Sequence, residues 1–473
     1  MLWIMMWVGC SGSTQPEWCL ESEIPYNYID DDCDASTPDN DLDGDGFLFP
    51  DDCADRDPTI HPRTMEIPYN GIDDDCNPLT SDNDRDGDGA GVPFDCDDED
   101  PYRHPNADEI PYNGVDDDCT EATPDDDLDG DGFGVASDCN DRNAESTPDS
   151  PAFYSGSIQW LIAEDWCSGG YGAIEGSLIL RSPLFDDNEP KDLDPLRCLC
   201  VVGGDVIIEH EYLRTFEAFP RLRRIEGSLE FARNTRMYGF DAFPVLERVE
   251  GTLRIFGNTE LFVMGELPAL TYVGNLQIEQ NLALNDIHAL SSIREVGDEV
   301  RIQLNGNLSN LNGLTSLTRI GGDLSIWSSV RDLSGLGALE GIGGTMRLYG
   351  TPMTQVNGLS ALTSVGGLTV EWNASLQDLD GLGSVQTVQG DVRIDNNASL
   401  ADVELPGLES IGQTLEIRNN AGLVALSGLD NLAWVGADVR IVDNPLLATS
   451  TAEALAMTID NIGGSTEIMG NAP

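Results

Sequence analysis

The sequence is short of positive charge. Against 85 Asp and Glu it has 24 Lys and Arg, and its formal net charge is −61. The first 150 residues carry five Arg and no Lys against 43 acids. So few bases exclude nucleic acid as a partner, because phosphate recognition needs a basic surface. Histidine is scarce too: His61, His104, His210 and His288 are all there are. None of them sits in a zinc-type pair, and no nucleophile elbow or phosphate loop is present. Among so many acids nothing singles out a catalytic carboxylate pair, so no catalytic residue is assigned and an enzyme is not expected. Beyond residues 2–8 no apolar run approaches the roughly 18 residues of a membrane span.

What the chain does have is unevenly placed. Residues 1–150 have a net charge of −38 and residues 151–473 one of −23, which suggests two parts built on different physics. The start, "MLWIMMWVGCSGST", resembles a bacterial lipoprotein signal, with Cys10 as the residue that takes the lipid. That resemblance implies that the membrane is met only through an anchor at Cys10, with Ser11 favouring the outer membrane; a secretory segment without lipid is the alternative. Setting Cys10 aside leaves ten cysteines, an even number that in an exported chain argues for disulfides. Cys53–Cys76 and Cys96–Cys119 are the preferred pairs, each closing one copy of a repeat. Cys198 and Cys200 are expected to have different partners.

The repeat has a period of 43 residues. "EIPYNYIDDDC" (23–33), "EIPYNGIDDDC" (66–76) and "EIPYNGVDDDC" (109–119) alternate with "DLDGDG" (41–46), "DRDGDG" (84–89) and "DLDGDG" (127–132). A register this strict marks a structural unit rather than a disordered acidic tail. The acidic loops carry calcium spacing, with ligands at positions 1, 3, 5, 7 through its carbonyl, and 12, and Gly at 6. This assigns Asp41, Asp43, Asp45, Phe47 and Asp52; Asp84, Asp86, Asp88, Ala90 and Asp95; and Asp127, Asp129, Asp131, Phe133 and Asp138. Carboxylate oxygens are hard ligands and suit Ca²⁺. Asp98 and Asp100, Asp55 and Asp57, or the triple Asp before each Cys offer further ligands. Residues 19–148 resemble the metal-binding repeats of the methanotroph surface copper-binding protein family and, more distantly, thrombospondin type 3 calcium repeats. The resemblance implies a secreted, metal-loaded surface module. Copper asks for His, Met or thiolate, and only His61 and His104 recur, each before a Pro.

From residue 204 a second period appears, of about 24 residues. "GTLRI" (251), "GNLQI" (274), "GDLSI" (322) and "GDVRI" (390) are examples of short strands whose side chains alternate in and out. Three residues past the last inward position an Asn recurs: Asn234, Asn258, Asn281, Asn305, Asn373, Asn397, Asn420, Asn444 and Asn471, with Ser329 and Thr351 as substitutes. Inward amides at that spacing form a ladder that satisfies buried turn groups. The pattern resembles the receptor L domain, a leucine-rich-repeat-like right-handed β-helix. Residues 451–463 have helical spacing and are expected to cap the C-terminal end. The fold class is therefore mainly β: calcium-binding loop repeats with little regular structure, then a right-handed parallel β-solenoid of about 12 rungs. The divisions are 1–18 (signal and linker), 19–148 (three repeats) and 150–473 (solenoid).

On the outward column of the strands, Arg254, Arg301, Arg347, Arg393 and Arg440 return on every second rung. They form either a ladder of cross-strand ion pairs with Glu299, Asp391, Glu416 and Asp438 or an anion or glycan face, to which Trp327, Tyr349 and Trp372 would add stacking surfaces. The expected protein is a bacterial cell-surface protein, an outer-membrane lipoprotein or secreted. Its calcium-stabilised stalk presents a solenoid that recognises a surface glycan or protein. A metal-acquisition protein for calcium or copper, or a purely structural envelope component, are the alternatives.

Overall fold

The computed structural model describes residues 19–473 apart from 21, 28, 35–38, 111–112, 121–124, 126, 135–137, 140–142, 148–150, 159–169, 182–195 and 217. Cys10 and Cys167 lie outside the described residues. By its internal contacts the chain divides into two units, Met1–Asp127 and Leu128–Pro473. The division falls inside the third repeat. Among the described residues no helix is long and apolar enough to cross a membrane.

The first unit has no strand or helix among its described residues. Disulfides and side chains binding the backbone hold it instead. Cys19–Cys33, Cys53–Cys76 and Cys96–Cys119 are joined, so each of the two preferred pairs forms. The "EIPYN…DDDC" motif is a turn stapled by its own carboxylates. Glu66 Oε2 accepts the N–H of Asp74 and Asp75 at 2.9 and 3.2 Å. Asp74 Oδ2 in turn accepts from Asn70 Nδ2 at 2.6 Å. Glu109, Asp117 and Asn113 repeat the arrangement.

The second unit is a parallel β-solenoid of about 12 turns, beginning at Phe153–Tyr154. Each turn gives a two-residue strand and, after a bend, a four-residue strand, as in Glu295–Val296 and Val300–Gln303. Both pair in parallel with the same strands of the next turn. At Arg248–Phe256, Tyr272–Glu279, Gly341–Tyr349 and Ser364–Glu371 the two strands run together. The bend is kept by close-packed glycines: a Cβ on Gly321 would lie 1.9 Å from Gly297 O. Strand side chains alternate as the sequence pattern requires. Leu253, Leu276, Val300 and Leu324 stack in one inward column and Ile255, Ile278, Ile302 and Ile326 in the next, all fully buried. Burying each such side chain stabilises by roughly 1.5–3 kcal/mol. A five-phenylalanine cluster (216, 219, 231, 240 and 243) fills the early turns. Cys139 is bonded to Cys200, and Cys198 is disulfide-bonded as well, so these two close neighbours have different partners.

The asparagine ladder is present. Asn258 Oδ1 accepts from Asn234 N at 2.9 Å and from Asn234 Nδ2 at 3.1 Å, and Asn258 Nδ2 donates to Phe231 O at 2.9 Å. Asn397, Asn420 and Asn444 repeat this. One substitute differs from the expected position: the rung is filled by Ser328, whose Oγ receives Asn305 N at 3.2 Å, and not by Ser329. The strand-to-turn segment there is shorter than in neighbouring turns, which moves the inward position back by one. The helix expected over 451–463 runs instead over Thr449–Thr458, and Asn461–Ile462 is a strand that pairs with Trp434–Val435. The helix occupies the last turn, between Asn444 and the final strand Thr466–Met469, with Ala452 and Leu455 buried.

Two outcomes follow. Asn397→Leu strands the buried Asn373 N–H, at a cost of about 1–3 kcal/mol, and the solenoid's denaturation midpoint should fall accordingly. The Glu404 carboxyl is raised from 4.5 to about 7, chiefly by its hydrogen bond with Asp380, then by burial and by the charges of Asp380, Asp402 and Asp378. A raised acid contributes stability that is complete below its unfolded value and is lost as pH climbs through the folded one. Thermal stability should therefore decline between pH 4.5 and pH 7, and Glu404→Gln should flatten that decline.

Candidate metal centres

Each acidic loop is wound by glycines in the left-handed region. Gly44 and Gly46 have φ of 79° and 96°, Gly87 and Gly89 of 81° and 99°, conformations that a side chain would strain. The first Asp closes the loop on these glycines. Asp41 accepts Gly44 N at 2.8 Å and Gly46 N at 3.2 Å; Asp84 accepts Gly87 N at 2.7 Å and Gly89 N at 2.9 Å. The next two use one oxygen each on the backbone. Asp45 Oδ1 takes Phe47 N and Asp88 Oδ1 takes Ala90 N, at 2.8 and 2.7 Å, which fixes the two residues whose carbonyls are assigned to position 7.

The second oxygens remain. Asp43, Asp45 and Asp52 in the first loop, and Asp86, Asp88 and Asp95 in the second, each keep a buried Oδ2 with no hydrogen-bond partner. Asp52 is 1% exposed and Asp95 9%. The carboxylates of Asp41, Asp43 and Asp45 approach within 4.8 Å of one another. Burial, followed by the charges of Asp45, Asp52 and Asp41, raises the Asp43 carboxyl above its ordinary value, and Asp86 is raised in the same way by burial and by Asp88, Asp95 and Asp84. Several unpaired anionic oxygens crowded in a shielded loop are unfavourable alone and favourable around a cation. The residues present fit a hard divalent ion. In the third copy Asp127 and Asp138 are buried, and Asp131 Oδ1 accepts Phe133 N at 2.9 Å; Asp127 ends the first unit, and Asp129, Asp131, Phe133 and Asp138 belong to the second.

Soft ligands do not converge here in the same way. Cys53 and Cys76 adjoin Asp52 but are joined to each other and offer no thiolate. His61 stacks on Phe47 with ring centroids 4.5 Å apart, and His104 Nδ1 lies 3.5 Å from Pro105 O. A further group lies in the first two turn motifs: Glu23, Asp30 and Asp32, and likewise Glu66, Asp73 and Asp75, come within 4.8 Å. The middle Asp of the triplet is committed to the turn. Asp55 spends Oδ2 on the Tyr26 hydroxyl at 2.5 Å and keeps Oδ1 buried without a partner.

On the solenoid, four of the five outward Arg are in ion pairs. Arg254 meets Glu230, Arg301 meets Glu279 and Glu299, Arg393 meets Glu371, Asp395 and Glu416, and Arg440 meets Asp438 and Glu467. Asp395 is their best-held partner. Burial pushes its carboxyl up, but hydrogen bonds from Asn419, Arg393 and Arg418 outweigh this and hold it below the usual range. Arg347 alone of the five makes no ion pair among the described residues. Its strand neighbours are Ser325 and Thr369, and Thr345 and Tyr349 flank it on its own strand. Tyr349 packs edge-on against Trp327 at 5.4 Å, and Trp327 and Trp372 are exposed.

Asp52→Asn and Asp95→Asn each remove charge from a buried inward oxygen. Each should weaken divalent-metal binding by its own loop about tenfold or more, a loss of about 1.4 kcal/mol, and leave the other loop unchanged, read as the loss of one event in calorimetric titration.

Residues 21–37, 52–84, 95–125 and 138–152 match the family model Cu-binding_MopE, described as "Putative metal-binding motif". A comparison with curated proteins finds no match. The matched segments cover well under half of the chain and fall on the three repeats, so it is the N-terminal region that is similar to this metal-binding motif family.

Proposed function

We propose that this chain is a bacterial cell-surface or secreted binding protein. Its N-terminal repeats take Ca²⁺ and are stiffened by it, and its solenoid recognises a surface glycan or protein; its role is binding and not catalysis. The observation that carries the metal half is the set of buried, unpartnered Oδ2 atoms in two loops of matching geometry. Oxygen-only donors favour Ca²⁺. Export is supported by the disulfides, which persist in oxidising compartments, and Cys10 is the proposed lipid attachment point. The family name favours a second reading, acquisition of copper by the repeats; His61, whose Nδ1 is buried without a partner, is the residue that speaks for it.

Calorimetric titration of the full-length protein separates the two readings. Ca²⁺ should bind with dissociation constants of roughly 10⁻⁴–10⁻³ M and protect residues 19–127 from protease, with EGTA reversing the protection. Tight Cu²⁺ binding without any response to Ca²⁺ would overturn the calcium assignment.

A further inference from the structure

The wall of turns that follows the sheet has a notch. From the second inward strand residue to the next buried apolar residue, the chain usually takes six steps: Ile278 to Leu284, Ile302 to Leu308, Val370 to Leu376 and Ile394 to Leu400. From Ile326 to Val330 it takes four, and from Leu348 to Met353 five. The shortest turn also lacks the left-handed residue seen at Gln280, Leu304, Trp372 and Asn396, whose φ values are 59°, 54°, 59° and 58°. The inward ladder stops at the same place. Ser328 bonds back to Asn305 and Thr351 bonds onward to Asn373, and no hydrogen bond joins Ser328 to Thr351 among the described residues.

Two short turns between full-length ones leave a groove of about 600 Å³. Ser328 and Thr351 are buried within it, while Trp327 and Trp372 stand at 43% and 55% exposure. The Trp327 indole lies against the bare backbone of Gly350, where a Cβ would sit 3.7 Å from its Cδ1 and Nε1. Trp372 occupies a left-handed position that the following rungs give to Asn396, Asn419 and Asp443. Earlier rungs place Arg233, Gln280 and Leu304 there, so Trp372 is the one aromatic among the non-glycine residues of this column. Trp327 ends the strand Leu324–Trp327 and Trp372 follows the strand Ser364–Glu371, two rungs on, about 10 Å along the stack. In a chain of net charge −61, no residue lining the groove is charged, and its polar groups are the hydroxyls of Ser328, Ser329, Thr351 and Ser375 and the Asn305 amide.

We infer that this groove binds a neutral oligosaccharide, with sugar rings lying on the exposed indoles of Trp327 and Trp372 and their hydroxyls exchanging hydrogen bonds with Ser329 and Ser375, the lining hydroxyls that the ladder does not use. Aromatic faces beside uncharged hydroxyls suit a ligand that is apolar on its ring faces and polar around its rim. An anionic glycan would meet the protein's repulsive field with no cation in the groove to offset it. The inference rests on the proposal that the solenoid is the recognition half, and it names the place and ligand class.

The test is calorimetry and Trp emission with the full-length protein in Ca²⁺. The probes are gluco-, manno-, galacto- and N-acetylglucosamine oligosaccharides, with polygalacturonate as the charged comparator. At least one neutral series should bind. Trp327→Ala and Trp372→Ala should each weaken it tenfold or more while the solenoid stays folded by circular dichroism. Ser375→Trp, which fills the groove and removes no aromatic face, should abolish it, and Arg347→Ala should not. Failure of every neutral series, or binding only to polygalacturonate, overturns the inference. Neutral binding that survives Trp327→Ala, Trp372→Ala and Ser375→Trp overturns the groove while leaving the solenoid as the recognition half.

Discussion

A buried amide has to be matched on both its donor and its acceptor side, and the solenoid is arranged around that demand. Each inward Asn takes the backbone N–H of the rung before it and gives its own N–H to a strand carbonyl of that same rung. The turns are therefore tied one to the next by groups that have no access to water. The apolar columns supply most of the burial energy, but they are tolerant of which neighbour they meet. The amides are not, because an offset of one residue would leave several polar groups unpaired. Register along the stack follows from that.

The N-terminal repeats meet the same demand with the opposite chemistry. Carboxylates accept the backbone N–H groups of their own loops, and every acceptor used in this way brings a negative charge. A loop satisfied by anions is left with a surplus of oxygen, and a cation is what removes the surplus. The disulfides hold the chain near that geometry, while the charges oppose it until the ion arrives. The solenoid needs no such completion, since its amides are neutral and its outward charges are largely paired across neighbouring strands.

Much of this was legible in the residues. The 43-residue register located the loops, and the 24-residue register with its alternation located the strands and the ladder. Ser329 was assigned in place of Ser328 because the register was extrapolated across a turn with two residues fewer. The role of Glu66 and Asp74 as turn clasps was hidden, since three consecutive Asp look alike until one is seen bonded to Asn70. That Arg347 stands apart was readable in principle: its neighbours Ser325, Thr369, Thr345 and Tyr349 include no acid. The notch was not readable as a groove, because a short turn opens space only once its longer neighbours are seen beside it.

The Cys139–Cys200 bond gives the second unit a mechanical property. A stack of turns sheds its outermost coil first, since that coil has a neighbour on one side only. Tension arriving along the chain from the N-terminal direction reaches Cys139 and crosses covalently to Cys200, next to the strand Val201–Val202. The strands Phe153–Tyr154, Ala173–Ile174 and Leu178–Arg181 lie inside the closed loop and carry none of that load. Shear is delivered past the most vulnerable coils, into turns flanked on both sides, and the solenoid is protected from being unzipped from its leading end.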